Sequence, residues 1–269
     1  MTVIHYLRYA KGTIMKKSHP GSQDSAFERG IIMGAILSLI PSAILVFILC
    51  RLGKTQKDSV RFLLKLLGFG ALSALVAAGI SILCTEVIFS GVDQSSLFFI
   101  LFENFIIVAL VEEGAKFFLL KKGSWNSPFF THSFNGIVFA AMIALGFGIV
   151  ENIVYLMFDA TITKIIVRGL LGAFGHIIDA MMMGFFYGLA KFYDSTGDEA
   201  QVKSSLKKAL IVPILFHGSF DALLTMADYT IVVFLFFILY IIEIVLAFKF
   251  MKKALRDNQP TTVLMDSQS

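Results

Sequence analysis

The sequence has few charged residues, few cysteines and a single tryptophan. Asp, Glu, Lys and Arg make up 16% of the 269 residues, against about 25% in an average soluble domain. The two cysteines, Cys50 and Cys84, provide neither a disulfide framework nor the spacing of a thiolate zinc site. The net charge of +4 comes mainly from basic residues between apolar runs, which is typical of membrane topology. We therefore predict no nucleic-acid partner and no cysteine chemistry.

Long apolar runs are the dominant feature of the chain. Hydrophobic residues make up 57% of it, 28 of them phenylalanines, and the mean hydropathy is +0.81. An apolar run of about 20 residues can cross a bilayer as a helix. Such runs occur at 30–50, 66–89, 97–120, 134–158, 169–191, 206–226 and 229–250. We therefore predict an all-α polytopic transmembrane bundle of about seven spans, with the lipid bilayer as its surroundings.

Polar segments flank the bundle. We predict a polar or interfacial N-terminal segment over 1–29, the bundle over 30–253 and a disordered tail over 254–269. The first segment lacks the apolar core and the cleavage site of a signal peptide. Lys and Arg are concentrated after the first, third, fifth and last apolar runs, which places the C-terminus in the cytoplasm. With seven spans, the N-terminus would then lie outside the cell, and the basic residues of the N-terminal stretch conflict with that position.

Ionisable residues within the third apolar run form the first candidate site. An Asp, Lys or Arg at membrane depth costs roughly 2.5–3.5 kcal/mol on insertion scales, so such groups usually face the protein interior and mark function. Glu112 and Glu113 precede Lys116 by four and three residues, so Lys116 can reach either carboxylate on one helical face. The ion pair would leave the other glutamate free as a general base. Alternatively, Lys116 is an anchor that reaches towards the membrane surface.

The fourth apolar run carries a second acid. Phe147 and Glu151 are four residues apart and share one helical face, and Asn152 follows with an amide donor. The structural alternative is an interhelical hydrogen bond that only holds the bundle together. Such bonds average about 0.6 kcal/mol in a membrane protein, which does not offset the insertion of a charged glutamate. We therefore interpret Glu151 as functional.

Two histidines occur in the later runs, each near an acid. His217 and Asp221 are four apart, so Asp221 can accept from one ring nitrogen while the other faces a metal, water or substrate. His176 and Asp179 are three apart and could repeat this arrangement. A lone buried histidine is more often a satisfied structural residue, but two with nearby acids favour function. Glu243 has no charged partner on its own helical face, and we assign it a structural role.

Together these motifs resemble those of the PrsW family of intramembrane proteases, which is distantly similar to the type II CAAX prenyl endopeptidases. The matching motifs are Glu112-Glu113-x-x-Lys116, Phe147-x-x-x-Glu151, His176 with Gly184, and His217-x-x-x-Asp221, and residues 136–155 are also similar. The resemblance covers about 100–225. Asn135 departs from it by standing where the family has an aspartate, and Asp179 is not part of the family pattern.

The resemblance implies hydrolysis of a peptide bond in a single-pass membrane protein, such as an anti-sigma factor, in the bacterial cytoplasmic membrane. Two mechanisms remain open. In one, His176, His217 and a carboxylate such as Glu151 bind zinc, and Glu112 or Glu113 takes a proton from water. In the other, a glutamate activates water without metal, and His217 and Asn152 donate to the oxyanion. Similarity to the CAAX endopeptidases favours the metal-free mechanism.

Three other functional classes compete with proteolysis. A proton- or cation-coupled transporter would also use embedded Glu, His and Asp, but the sequence shows no internal repeat of the kind that many transporters have. A haem or quinone carrier would use the paired histidines and leave the glutamate pair without a purpose. A non-catalytic scaffold would not need the acid and histidine set.

Overall fold

The structure is a computed structural model that describes residues 24–52, 60–89, 91–93, 95–158 and 162–261. Within this part of the chain, seven helices follow one another with short connections. They are α1 (Asp24–Leu52), α2 (Val60–Leu83, extended by a π-helical turn Cys84–Ile88), α3 (Leu97–Phe102, π-helical Glu103–Ala109 and Leu110–Ser124), α4 (Asn135–Phe158), α5 (Ile162–Val167, π-helical Arg168–Ala173 and Phe174–Thr196), α6 (Glu199–Thr225) and α7 (Thr230–Arg256).

The prediction of an all-α membrane bundle is confirmed. Five helices, α2 and α4 to α7, are long and apolar enough to cross a membrane by length and composition. The apolar part of α1, Leu39–Leu52, is shorter, and α3 carries the charged motif residues. The predicted spans differ from the helices mainly at their starts, since α1, α2, α5 and α6 each begin several residues earlier than the apolar runs. The extra residues include polar side chains that a hydropathy criterion leaves out.

The two flanking segments differ in how far the structure describes them. Residues 1–23 and 262–269 lie outside the described part, while 24–29 belong to α1. The predicted tail over 254–269 begins with ordered residues: α7 continues to Arg256, and the Asn258 side chain accepts a hydrogen bond from the Phe134 amide at 3.0 Å. The Thr261 hydroxyl donates to the Phe130 carbonyl at 2.5 Å. The residues after α7 therefore pack on the loop before α4.

Close backbone contacts hold α4 between its neighbours. A Cβ atom on Gly184 of α5 would meet the Ile137 backbone of α4. On the other side, a Cβ atom on Gly70 of α2 would meet the Ile143 carbonyl, and one on Gly146 would meet the Leu67 carbonyl. Small residues permit this approach because membrane helices associate through close packing rather than through the hydrophobic effect. The contacts bring α2, α4 and α5 close together beside the motif residues.

Side-chain hydroxyls accompany two of the π-helical segments. The Ser81 hydroxyl of α2 donates to the Ile107 carbonyl of α3 at 2.8 Å, and the Tyr240 hydroxyl of α7 donates to the Leu170 carbonyl of α5 at 2.6 Å. A π-helical turn alters the regular backbone pattern and is frequent at functional sites. The turn in α3 ends just before Glu112, and the turn in α5 ends just before His176. Both therefore set the rotation of a motif-bearing segment.

Candidate functional site

Lys116 of α3 lies in the protein interior. Its ammonium is 2.7 Å from Glu113 Oε1 and 3.8 Å from Glu112 Oε2, as the three- and four-residue spacings predict. It also lies 3.8 Å from the centre of the Phe147 ring on α4, a cation–π contact. The side chains of Lys116 and Glu113 are 3% and 1% exposed. The interpretation of Lys116 as an anchor at the membrane surface is therefore wrong, because its charge is satisfied inside the bundle.

His176 of α5 connects Lys116 to the acid on α4. Its Nδ1 is 3.2 Å from the Lys116 ammonium, and its Nε2 is 2.6 Å from Glu151 Oε2. An ammonium only donates, so Nδ1 accepts, and Nε2 carries the proton that it donates to Glu151. The expectation that Asp179 would orient this ring is corrected, since these partners come from α3 and α4 and not from the residue one turn along.

His217 of α6 contacts carboxylates through both ring nitrogens. Nδ1 is 2.8 Å from Glu113 Oε1, while Nε2 is 3.4 Å from Asp221 Oδ2 and 3.8 Å from Glu112 Oε2. The predicted contact with Asp221 is present. The expectation that the second nitrogen is free for a metal, water or substrate is corrected, because Glu113 of α3 occupies it. Two N–H donors facing carboxylates correspond to a protonated imidazole.

These contacts bring motifs from four helices to one place. The rings of His176 and His217 have centroids 5.4 Å apart, and the Phe147 ring packs 5.0 Å from His176. We call the group the acid–histidine cluster. It comprises Glu112, Glu113, Lys116, Glu151, His176 and His217, with Asp179 and Asp221 beside them. The residues predicted as catalytic from the sequence therefore lie together, while their individual roles remain predictions.

Glu112 differs from the rest of the cluster. Its side chain is 12% exposed, and its Oε2 atom has no hydrogen-bond partner in the described part of the chain. Glu112 and Glu151 also line a crevice between α2, α3 and α4 that has about 500 Å³ of empty space, including its open side. The other lining residues are apolar or small. Of the glutamate pair, Glu112 therefore has the freer carboxylate.

The sequence did not reveal the partner of Asp179. Asp179 lies beside Glu243 of α7, and both carboxyl groups are buried. Two carboxyl groups can share a hydrogen bond only if one of them carries a proton. Glu243 was assigned a structural role because its own helix offers no partner. The sequence did offer one signal of a partner for Glu243: it is an acid in the middle of a long apolar run. Placing an unpaired acid at membrane depth is energetically unfavourable.

Asn152 was predicted to donate to an oxyanion. It is fully buried on α4, and it follows Glu151 by one residue, which places it about 100° around the helix. Glu151 is the α4 carboxylate that reaches His176. A role for Asn152 in the reaction therefore remains a prediction.

The donors of the cluster fit a zinc ion. Potential ligand atoms of Glu113, His176, Asp179 and His217 all lie within 4.8 Å of one another, as do those of Glu112, Glu151 and His176. The first set has two imidazoles and two carboxylates, which are ordinary zinc ligands, and Asp179 Oδ1 has no hydrogen-bond partner in the described residues. The predicted triad of His176, His217 and Glu151 is not one group, because Glu151 and His217 belong to different sets of possible ligands that share His176.

Comparisons with known proteins give relatives from a single family. The family model described as PrsW family intramembrane metalloprotease matches residues 58–247. Protease PrsW of Bacillus subtilis (strain 168) is 37% identical over 124 residues, 46% of this chain and 55% of that protein, so the match spans about half its length. Protease PrsW of Clostridioides difficile (strain 630) is 28% identical over 211 residues, 77% of this chain and 85% of that protein. No solved structure matches the chain.

Proposed function

The chain belongs to the PrsW family of intramembrane metalloproteases, and we propose that it hydrolyses peptide bonds of membrane proteins at the acid–histidine cluster. The observation that supports this proposal most directly is the position of Glu112. Its Oε2 atom has no hydrogen-bond partner in the described residues, lies 3.8 Å from His217 Nε2 and belongs to a side chain that lines a crevice. A free carboxylate beside a protonated imidazole is a suitable general base and acid.

In the proposed reaction, Glu112 takes a proton from water, and the water oxygen bonds to the carbonyl carbon of the substrate. His217 Nε2–H then gives a proton to the amide nitrogen as the carbon–nitrogen bond breaks. Glu113 accepts hydrogen bonds from Lys116 and from His217 Nδ1, so it holds the imidazole in place. Glu151 fixes the ring of His176 in the same way. These positioning contacts keep the reacting groups aligned.

Zinc, when bound, would be held by three of the four possible ligands Glu113, His176, Asp179 and His217, and the open fourth position would let it act as a Lewis acid towards the carbonyl oxygen. Lys116 already contacts Glu113 and His176 with its ammonium. A metal ion and Lys116 therefore compete for two of the four ligands. Under this assignment Glu112 and Glu151 remain outside the metal site, and Glu112 is still available as a base.

The finer features of the function come from the family resemblance. We propose that the substrate is a membrane-anchored protein, such as a single-pass anti-sigma factor, and that the C-terminus of the protease faces the cytoplasm of a bacterial cell. A buried, internally paired cluster also suits a proton- or cation-coupled transporter. If no membrane-protein fragment depends on the cluster, we expect the protein to be a transporter instead of a protease.

The test compares membrane-protein fragments by mass spectrometry in cells that express wild type, Glu112→Gln, His217→Ala or Glu103→Gln at matched membrane abundance. Glu103 lies on the same helix as Glu112, outside the cluster, so Glu103→Gln controls for the loss of an acid. Fragments present with wild type and Glu103→Gln, and absent from the other two, would support proteolysis. Identical fragment sets from all four, at rest and under stress, would contradict it.

A further inference from the structure

The π-helical turns of α3 and α5 occupy equivalent places relative to the acid–histidine cluster. The turn in α3, Glu103–Ala109, ends three residues before Glu112, and the turn in α5, Arg168–Ala173, ends three residues before His176. A π-helical turn spaces its backbone bonds one residue further apart than an α-helix does, and each residue turns a helix by about 100°. The turn therefore decides towards which side the motif residues after it point.

Such a turn also makes a backbone carbonyl available to another helix. Where the i→i+5 bonds of a π-helical turn give way to the i→i+4 bonds of an α-helix, one carbonyl is passed over and lacks an N–H partner in its own helix. In the hydrocarbon region of a membrane, no water can replace the missing donor. A side chain from a neighbouring helix can supply it, and its hydrogen bond then stabilises the irregular turn.

Both turns receive a hydroxyl group from a neighbouring helix. Ser81 of α2 donates to the Ile107 carbonyl within the α3 turn at 2.8 Å, and Tyr240 of α7 donates to the Leu170 carbonyl within the α5 turn at 2.6 Å. The two donors are buried, with 5% and 7% of their surface exposed. Neither α2 nor α7 carries a residue of the acid–histidine cluster. Each turn is therefore fixed against a helix that takes no direct part in the cluster.

The contacts that follow each turn depend on the rotation of the helix. After the α3 turn, Glu113 Oε1 lies 2.8 Å from His217 Nδ1. After the α5 turn, His176 Nε2 lies 2.6 Å from Glu151 Oε2. Hydrogen bonds weaken as the distance grows and as the angle bends. A small rotation of either helix would therefore weaken one of these two bonds.

We propose that Ser81 and Tyr240 are positioning residues, which hold the two π-helical turns and thereby keep Glu113 and His176 in register with their partners. Ser81 acts through α3 on Glu113, and Tyr240 acts through α5 on His176. Neither hydroxyl touches the reacting groups in this assignment. The geometric role stands on the contacts alone, while its consequence for catalysis rests on the proposed function.

Deletion of a single hydroxyl group tests each assignment, and the chain offers a matched control for both. The test variants are Ser81→Ala and Tyr240→Phe, and Ser81→Thr keeps the hydroxyl. The controls are Ser73→Ala and Tyr187→Phe. The buried Ser73 hydroxyl donates to a carbonyl of its own helix at 2.6 Å, and the buried Tyr187 hydroxyl bonds a serine of α3 at 2.9 Å, outside the π-helical turns. Thermal unfolding shows that each variant is folded and how much stability it loses.

The readout is the NMR signal of the histidine ring N–H groups, in protein with isotope-labelled histidine in lipid nanodiscs. The chain has five histidines, and the bonded nitrogen distinguishes the two in the cluster, Nε2 in His176 and Nδ1 in His217. The proton signal moves upfield as the hydrogen bond weakens. We expect this shift for His217 in Ser81→Ala and for His176 in Tyr240→Phe, and wild-type signals in Ser81→Thr and both controls.

A merely structural role would lower the unfolding temperature and leave both ring signals in place. The proposal is overturned by that result, and also if the controls shift the signals as far as the test variants do.

The same variants are then added to the comparison of cellular fragments. Fewer wild-type fragments in Ser81→Ala and Tyr240→Phe, with unchanged fragments in Ser81→Thr and the controls, supports the role in catalysis. Shifted ring signals in a protein that yields no fragment even as wild type would refute the proposed proteolysis and leave the geometric role standing. Wild-type fragment levels in variants with shifted signals would refute the role in catalysis and leave proteolysis standing.

Discussion

Glu113 of α3 and His217 of α6 are hydrogen bonded, Oε1 to Nδ1 at 2.8 Å, although 104 residues separate them in the sequence. The bond joins the first and the last motif of the chain. Both side chains are buried. Glu113 also accepts from Lys116 at 2.7 Å. One carboxylate therefore satisfies two buried donors from two helices.

The Glu113→Ala variant is expected to have a lower free energy of unfolding than a variant with a conservative change at the same position. It leaves the Lys116 ammonium and the His217 ring without their shared acceptor, and removing one partner of a buried ion pair typically costs about 3–5 kcal/mol. Glu113→Gln keeps one acceptor oxygen, so this variant should lose clearly less stability than Glu113→Ala. Thermal or denaturant unfolding in detergent measures the difference. Glu103→Ala on the same helix is the control, and equal stability of the two Glu113 variants would contradict the prediction.

Glu112→Gln is expected to remove activity with little change in stability. Glu112 Oε2 has no hydrogen-bond partner in the described residues, so the amide replaces it without breaking a bond. Loss of a general base lowers the rate by about 10²- to 10⁴-fold. Cleavage rate and unfolding temperature are measured on the same preparation, with Glu113→Gln alongside. A stable Glu112→Gln variant that cleaves at the wild-type rate would exclude Glu112 as the base.

The parts of the site that the sequence predicted are those set by spacing along one helix. Lys116 with Glu113, and His217 with Asp221, follow from three- and four-residue separations. The closest partner of His217 nevertheless comes from α3, and the partner of Asp179 comes from α7. Such contacts depend on how far each helix is rotated about its axis and on its π-helical turns, and the apolar periodicity of one sequence does not determine these.

Lys116→Met is expected to bind zinc more tightly than wild type. The Lys116 ammonium contacts Glu113 Oε1 and His176 Nδ1, which belong to the same group of four possible ligands. Removing this charge frees both residues and removes its repulsion of a divalent cation. The visible absorption of bound Co²⁺ is followed while Zn²⁺ displaces it. This titration measures the zinc affinity and does not require an active enzyme. Lys121→Met, an exposed change on the same helix, should behave like wild type. Equal zinc affinities in all three proteins would show that Lys116 and the metal do not compete.

The proximity of the buried carboxyl groups of Glu243 on α7 and Asp179 on α5 predicts a coupled pair of variants. Glu243→Leu leaves Asp179 buried with one partner fewer, and an unsatisfied buried polar group typically costs about 1–3 kcal/mol. Glu243→Gln can still donate to Asp179 and should be milder. Combining Glu243→Leu with Asp179→Leu removes both polar groups, so the double variant should be more stable than the sum of the single changes predicts. Unfolding free energies of the four proteins form a double-mutant cycle. Strict additivity would mean that the two carboxyls stabilise the bundle independently and that α7 does not hold Asp179 against the cluster.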